Sequence, residues 1–180
     1  TAEHEFHKEP KALHLSSDGL FGKWDLQQLQ RGYQVYKEVC AACHGLKFVA
    51  LRDLAQLGYN EAEVKAEAAS WTVPGIDETT GEASTRPGKP TDYFPSPYAN
   101  QEAAAASNNG AAPPDFSLIA KARGITRGFP QFVFDIFTQY QEGGPDYIYS
   151  LLTGYDEEKP AHLEVAEGTL AKAITRNLDR

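Results

Sequence analysis

Asp25-Leu26-Gln27-Gln28-Leu29-Gln30-Arg31-Gly32-Tyr33-Gln34-Val35-Tyr36-Lys37-Glu38-Val39-Cys40-Ala41-Ala42-Cys43-His44 is the stretch from which the fold can be read. Leu26, Leu29, Tyr33, Tyr36 and Val39 recur at spacings of three and four, which places them on one face of a helix. Asp25 before that face and Gln28 three residues later form a capping-box signature, and Trp24 and Leu29 sit where a hydrophobic staple closes over the cap. A helix is therefore expected from about Leu26 into the cysteines. Tyr33 and Tyr36 read as core side chains of its apolar face, with lining of a cofactor pocket as the alternative.

The helix runs into Cys40-Ala41-Ala42-Cys43-His44, which holds both cysteines of the chain and one of its five histidines. Two thiols at this spacing suit a disulfide, half of a zinc site, or covalent attachment of a cofactor. Structural zinc needs two further Cys or His ligands at close spacing. His4, His7 and His14 are scattered near the start of the chain, and His162 stands by itself. A thioredoxin-like redox pair is expected after a strand rather than at the end of a helical pattern. The motif thus reads as c-type haem attachment: each thiol bonds one vinyl group of a single porphyrin, and the adjacent imidazole becomes an axial ligand of the iron.

The 180 residues carry 17 basic and 25 acidic side chains, a formal net charge of −8. That excess argues against nucleic acid or an anionic membrane surface as a partner and is compatible with a cationic one. Beyond the haem motif, Leu51–Leu57 reads as a short helix stopped by Gly58, and Asn60 with Glu63 repeats the capping box to open a helix through about Ser70. Thr72 to Pro97 is rich in Pro, Gly, Thr and Asp. It reads as a long irregular segment, either functional or merely solvated, and no strand pattern stands out. Asn100 caps a helix over Gln101–Ser107. Asp115 is the N-cap expected for Phe116–Arg123, with Gly124 as the stop. Phe129–Tyr140 is a buried or amphipathic helix, Pro145 opens Asp146–Thr153, and a weak helix is expected over Thr169–Leu178. The fold class expected is all-α, with long irregular loops around one haem. Residues 1–180 are expected to form a single haem c domain.

Several segments together carry a family resemblance: Leu20-Phe21-Gly22; Gln30 through Cys40; Cys43-His44-Gly45; Thr91-Asp92-Tyr93-Phe94-Pro95; Asn108-Asn109-Gly110-Ala111-Ala112-Pro113-Pro114-Asp115 with Ala120-Lys121-Ala122-Arg123; and Asp146 through Tyr155. From Asp18 to about Pro160 the chain resembles cytochrome c1, the haem subunit of the cytochrome bc1 complex; residues 161–180 read as a divergent tail. The resemblance implies a c-type cytochrome fold, with Cys40 and Cys43 as thioether attachments and His44 as the proximal iron ligand. It implies that Asn108 and Pro114 line the haem crevice, that Ile119 and Tyr147 pack against the ring, and that Arg123 approaches a haem propionate. Taken without the resemblance, Arg123 reads equally as a surface cation favoured at a helix C-terminus.

The implied function is one-electron transfer: an electron carrier, not an enzyme by itself, taking electrons from a Rieske iron–sulfur protein and passing them to a soluble c-type cytochrome. Cytochrome b would be the other neighbour in the complex. Glu78, Glu82, Asp156, Glu157 and Glu158 are candidates for steering a basic cytochrome, against the plainer reading of a solvated face. Covalent haem and a chain beginning at Thr1 point to the periplasmic side of the cell membrane or the equivalent intermembrane side. The resemblance also leads one to expect a methionine as sixth ligand, beyond the matched region, and a membrane-anchoring helix. The sequence contains no methionine, and no apolar run approaching the ~20 residues of a membrane helix. A truncated or partial chain is expected on that ground, with a divergent distal ligand as the alternative. His162, among Glu157, Glu158 and Glu164, reads as solvated rather than as that ligand. The competing function is a haem protein with an open sixth position that binds a gas or peroxide.

Overall fold

The computed structural model describes residues 11–19, 21–124, 133 and 143–154. The chain divides into two compact units, one formed by Trp24–Ile119 and the other by Thr1–Lys23 with Ala120–Arg180. The expected helices at Phe129–Tyr140 and Thr169–Leu178, and His162, lie outside the described residues.

In the Trp24–Ile119 unit, α1 spans Leu26–Glu38. Asp25 caps it, its carboxylate accepting from Gln28 N at 3.1 Å. The staple is not closed: Trp24 is 70 % exposed, so the cap rests on the Asp25 hydrogen bond. A 3-10 turn, Cys40–Ala42, follows, and Leu51–Leu57 is a longer 3-10 helix ended by Gly58 at φ 90°. α2 spans Glu61–Ala69 with the expected reciprocal box: Glu63 N donates to Asn60 Oδ1 at 3.0 Å, and Asn60 N donates to Glu63 Oε2 at 2.8 Å. α3 spans Gln101–Ser107 under an Asn100 cap.

The all-α expectation and the reading of Thr72–Pro97 as irregular need correction. Thr72–Ile76 (β1) and Ala83–Pro87 (β2) pair antiparallel, Thr72 opposite Pro87 and Ile76 opposite Ala83. The described residues are therefore mostly helical where regular, with one small two-stranded sheet. Its prolines hid it. Hydrogen bonds Gly88 N to Trp71 O and Asp77 N to Glu82 O flank the ladder, so by alternation Pro74 and Pro87 fall at positions whose N–H would point outward. There a proline removes no ladder bond. At the turn, Asp77 Oδ1 accepts from Thr79 N and Thr80 N, and Gly81 takes φ 74°.

Leu51, Leu54, Val64, Ala68 and Phe94 form the core of this unit, with Tyr33, Tyr36 and Trp71 packed against it. Tyr33 and Tyr36 thus pack as core side chains, as their place on the apolar face of α1 predicts. Phe94 meets Tyr36 and Trp71 edge-on, at ring-centroid distances of 6.0 and 5.2 Å, the geometry that aromatic quadrupoles favour. Phe94 reaches the core because its segment crosses the chain next to the haem motif: Leu51 N donates to Asp92 O and Phe94 N to Val49 O. Gly88 lets β2 leave the sheet over α2; a Cβ there would lie 2.6 Å from Ala68 O.

In the other unit, α5 spans Gly144–Thr153. Its first two turns are tied to the N-terminal segment, Leu13 N donating to Asp146 Oδ1 and Lys11 N to Ser150 Oγ. Gly144 is pressed against the Ala120 carbonyl, where no Cβ fits. The helix expected over Phe116–Arg123 is shorter than its N-cap suggested, only Ile119–Ala122 (α4), because Asp115 is committed elsewhere.

Candidate haem site

The 3-10 turn brings the haem motif together by backbone bonds alone. Cys43 N and His44 N both donate to Cys40 O, at 3.0 and 2.8 Å. The tightened turn gathers both thiols and the imidazole at the end of α1. Both cysteines are unpaired and half-buried. Among the described residues no group of three or more His, Cys, Asp or Glu side chains is placed to hold a bare metal ion.

His44 is fixed by residues about seventy positions away. Its Nδ1 lies 2.8 Å from Pro114 O. A carbonyl only accepts, so Nδ1 carries the hydrogen; in the neutral imidazole the lone pair then falls on Nε2, which has no partner among the described residues. A ring held at one nitrogen and open at the other is what axial ligation of iron requires. Phe116 stacks on the imidazole with centroids 4.0 Å apart and planes 19° apart. From the other side Tyr36 donates its hydroxyl hydrogen to His44 O at 3.0 Å. Burial, followed by the nearby Asp115 and Cys40, pushes the Tyr36 phenol up to about 12, so it remains a neutral donor at ordinary pH.

Asp115 closes the arrangement. Its Oδ2 accepts from Lys47 N at 2.9 Å and its Oδ1 from Ser117 N at 2.9 Å. Phe116 N donates to Gly45 O at 2.8 Å, and Phe48 N to Ser117 Oγ at 3.1 Å. Partial burial by itself would raise the Asp115 pKa; the hydrogen bonds from Ser117 and Lys47 outweigh it and hold the carboxyl below its ordinary value. The result is a clasp between the segments 44–48 and 114–117. Nothing local in either segment announces it, although Asp115-Phe116-Ser117 carries the Asx-turn pattern of an acid two residues before a polar N–H donor.

Of the other residues singled out from the sequence, Pro114 is in the clasp through its carbonyl. Asn108 ties off α3, its Nδ2 donating to Ala104 O at 2.7 Å and Tyr98 Oη at 3.0 Å. Ile119 is half-buried at the start of α4. Arg123 and Tyr147 belong to the other unit. Arg123 is exposed, with its guanidinium 3.5 Å from Ala122 O; Tyr147 is 36 % exposed in the first turns of α5.

Two free thiols on a helix-terminal turn, beside an imidazole that is anchored at Nδ1 and open at Nε2, define a c-type haem protein, and the donor set suits that group better than any bare ion. The comparisons with known proteins agree. The model of the Cytochrome C1 family matches residues 15–177. Over 164 residues the chain is 50 % identical to a "Cytochrome b/c1" of Bradyrhizobium diazoefficiens, covering 89 % of this chain and 24 % of that protein. It is 50 % identical over 122 residues to a "Cytochrome c1" of Rhodospirillum rubrum, covering 68 % of this chain and 44 % of that one. It is 42 % identical over 141 residues to a "Cytochrome b-c1 complex catalytic subunit, mitochondrial" of Candida albicans, covering 78 % and 47 % respectively. The chain belongs to the cytochrome c1 family. It spans between about a quarter and a half of the length of these relatives.

Proposed function

We propose that this chain is the haem-bearing part of an electron-carrier subunit of a cytochrome bc1-type complex, with a c-type cytochrome fold and residues 1–180 as one haem c domain. Cys40 and Cys43 would carry the thioether bonds to the haem, and His44 Nε2 would donate to its iron. The bound haem supplies reversible one-electron chemistry. The protein's own part is to hold the imidazole: Pro114 O keeps the hydrogen on Nδ1, Phe116 sets the ring plane, and Tyr36 anchors the peptide. The resemblance further assigns Asn108, Pro114, Ile119 and Tyr147 to the haem pocket and Arg123 to a propionate. The carrier accepts an electron from a Rieske iron–sulfur protein and passes it to a soluble c-type cytochrome, with cytochrome b as its neighbour. It works on the periplasmic or intermembrane side, associated with the membrane through that complex or an anchoring helix. Among the described residues no helix is long and apolar enough to cross a membrane.

The observation that carries this reading is His44 held at Nδ1 and open at Nε2 directly after two free thiols. Its test is covalent haem. The chain made in a host with c-type maturation should bind one haem that resists acid–acetone extraction. Cys40→Ala or Cys43→Ala should shift the α band of the pyridine haemochrome to the red, as expected for a single remaining thioether. Extractable haem, or none, rejects the assignment.

A further inference from the structure

Resting on the haem reading, we propose that Asp115 is a positioning residue for haem ligation: its carboxylate sets the electron richness of the His44 imidazole through the Pro114 carbonyl. Three observations lead there. The carbonyl that holds His44 Nδ1–H belongs to the residue directly before Asp115, so the Pro114–Asp115 peptide plane carries both the acceptor and the acid. That plane is immobilised by the carboxylate itself, one oxygen on Lys47 N and the other on Ser117 N, at 2.9 Å each. Those two amides lie in the two different segments of the clasp, so a single side chain ties the imidazole's segment to the acceptor's segment. Gly45 completes the fit, because a Cβ there would already lie 3.0 Å from Asp115 Oδ2; the small residue after His44 lets the carboxylate come close.

The chemistry follows from the hydrogen bond. A carbonyl aligned on Nδ1–H draws the proton and makes Nε2 a stronger donor, which favours the oxidised iron and lowers the potential. The carboxylate's negative charge acts in the same direction. Arg86 and Asp92 supply a contrast within the same unit: a carboxylate held as firmly, by a guanidinium at 2.7 and 2.9 Å and Lys89 N at 2.7 Å, but bonded to none of the residues of the clasp.

The experiment is a potentiometric titration of the full haem-loaded chain and its Asp115→Asn, Asp115→Glu and Asp92→Asn variants, with thermal unfolding measured alongside. Asp115→Asn keeps the shape but removes the charge and one of the two acceptors. It should raise the reduced-to-oxidised ratio at a fixed potential roughly tenfold, the scale of outer-shell effects at metal sites, equivalent to about 59 mV for a one-electron couple. Asp115→Glu should recover part of that shift. Asp92→Asn should lower the unfolding temperature and leave the potential where it was. An Asp115→Asn potential equal to the parent's, or an equal shift in Asp92→Asn, overturns the inference while leaving the haem reading intact. If Asp115→Asn does not accumulate, the Asp115→Glu potential decides in the same way: a value displaced from the parent by more than Asp92→Asn supports it, and no displacement overturns it. A parent chain without covalent haem overturns both.

Discussion

His44 is held at its ring nitrogen, its ring face and its peptide carbonyl by Pro114, Phe116 and Tyr36. The Tyr36 bond links His44 to the core, since the same ring packs edge-on against Phe94. Tyr36→Phe keeps the packing and deletes the donor, leaving His44 O to find another partner. A loss of about 1 kcal/mol is expected, typical of one neutral hydrogen bond, read as a lower urea midpoint at unchanged slope; an unchanged midpoint would mean the bond contributes nothing. At this scale the sequence exposed what is local. Cys40, Cys43 and His44 are adjacent, and their spacing states their chemistry. Asp115 and Phe116 were legible only as a cap and an apolar residue, because what they do depends on partners 68 to 72 residues away.

Helix ends were the most readable elements, because a cap is a bond across three residues. The Asn60–Glu63 box illustrates this: both of its hydrogen bonds form at 2.8 and 3.0 Å. Asn60→Ala removes the side-chain acceptor for Glu63 N and should cost about 1 kcal/mol; equal unfolding free energies in urea for parent and variant would show that α2 is held by packing alone. The β1–β2 hairpin was unreadable for the opposite reason. Prolines argue against strands in general, yet a two-stranded sheet has outward-facing positions on both strands, and Pro74 and Pro87 occupy them. Asp115 shows the converse failure. Its side chain does accept from Ser117 N, but its second oxygen goes to Lys47 N, and the helix that follows is one turn long.

The chain as a whole carries a charge of −8, and in the Trp24–Ile119 unit the partly buried carboxylates Asp92 and Glu67 are tied to cations. The Arg86 fork, with Lys89 N, holds Asp92 at about 2. Partial burial by itself would raise Glu67, but hydrogen bonds from Lys37 and Tyr33 prevail and hold it below its ordinary value. Both groups bind protons more readily unfolded than folded. Their contribution is therefore complete above the ordinary carboxylate range near pH 4 and is lost as pH falls below it, for Asp92 toward about 2. Unfolding midpoints measured from pH 7 downward should fall along that limb, and Asp92→Asn should flatten it; parallel limbs in parent and variant would remove Asp92 from the account. The sequence by itself determined the haem motif, the helix leading into it and the helix caps, because each is set by neighbours within a few residues. Tertiary structure alone decided which carbonyl holds His44, what Asp115 clasps and where Phe94 packs. Those contacts join segments far apart in the chain, and only closure of the core brings their hydrogen-bonding groups within reach of one another.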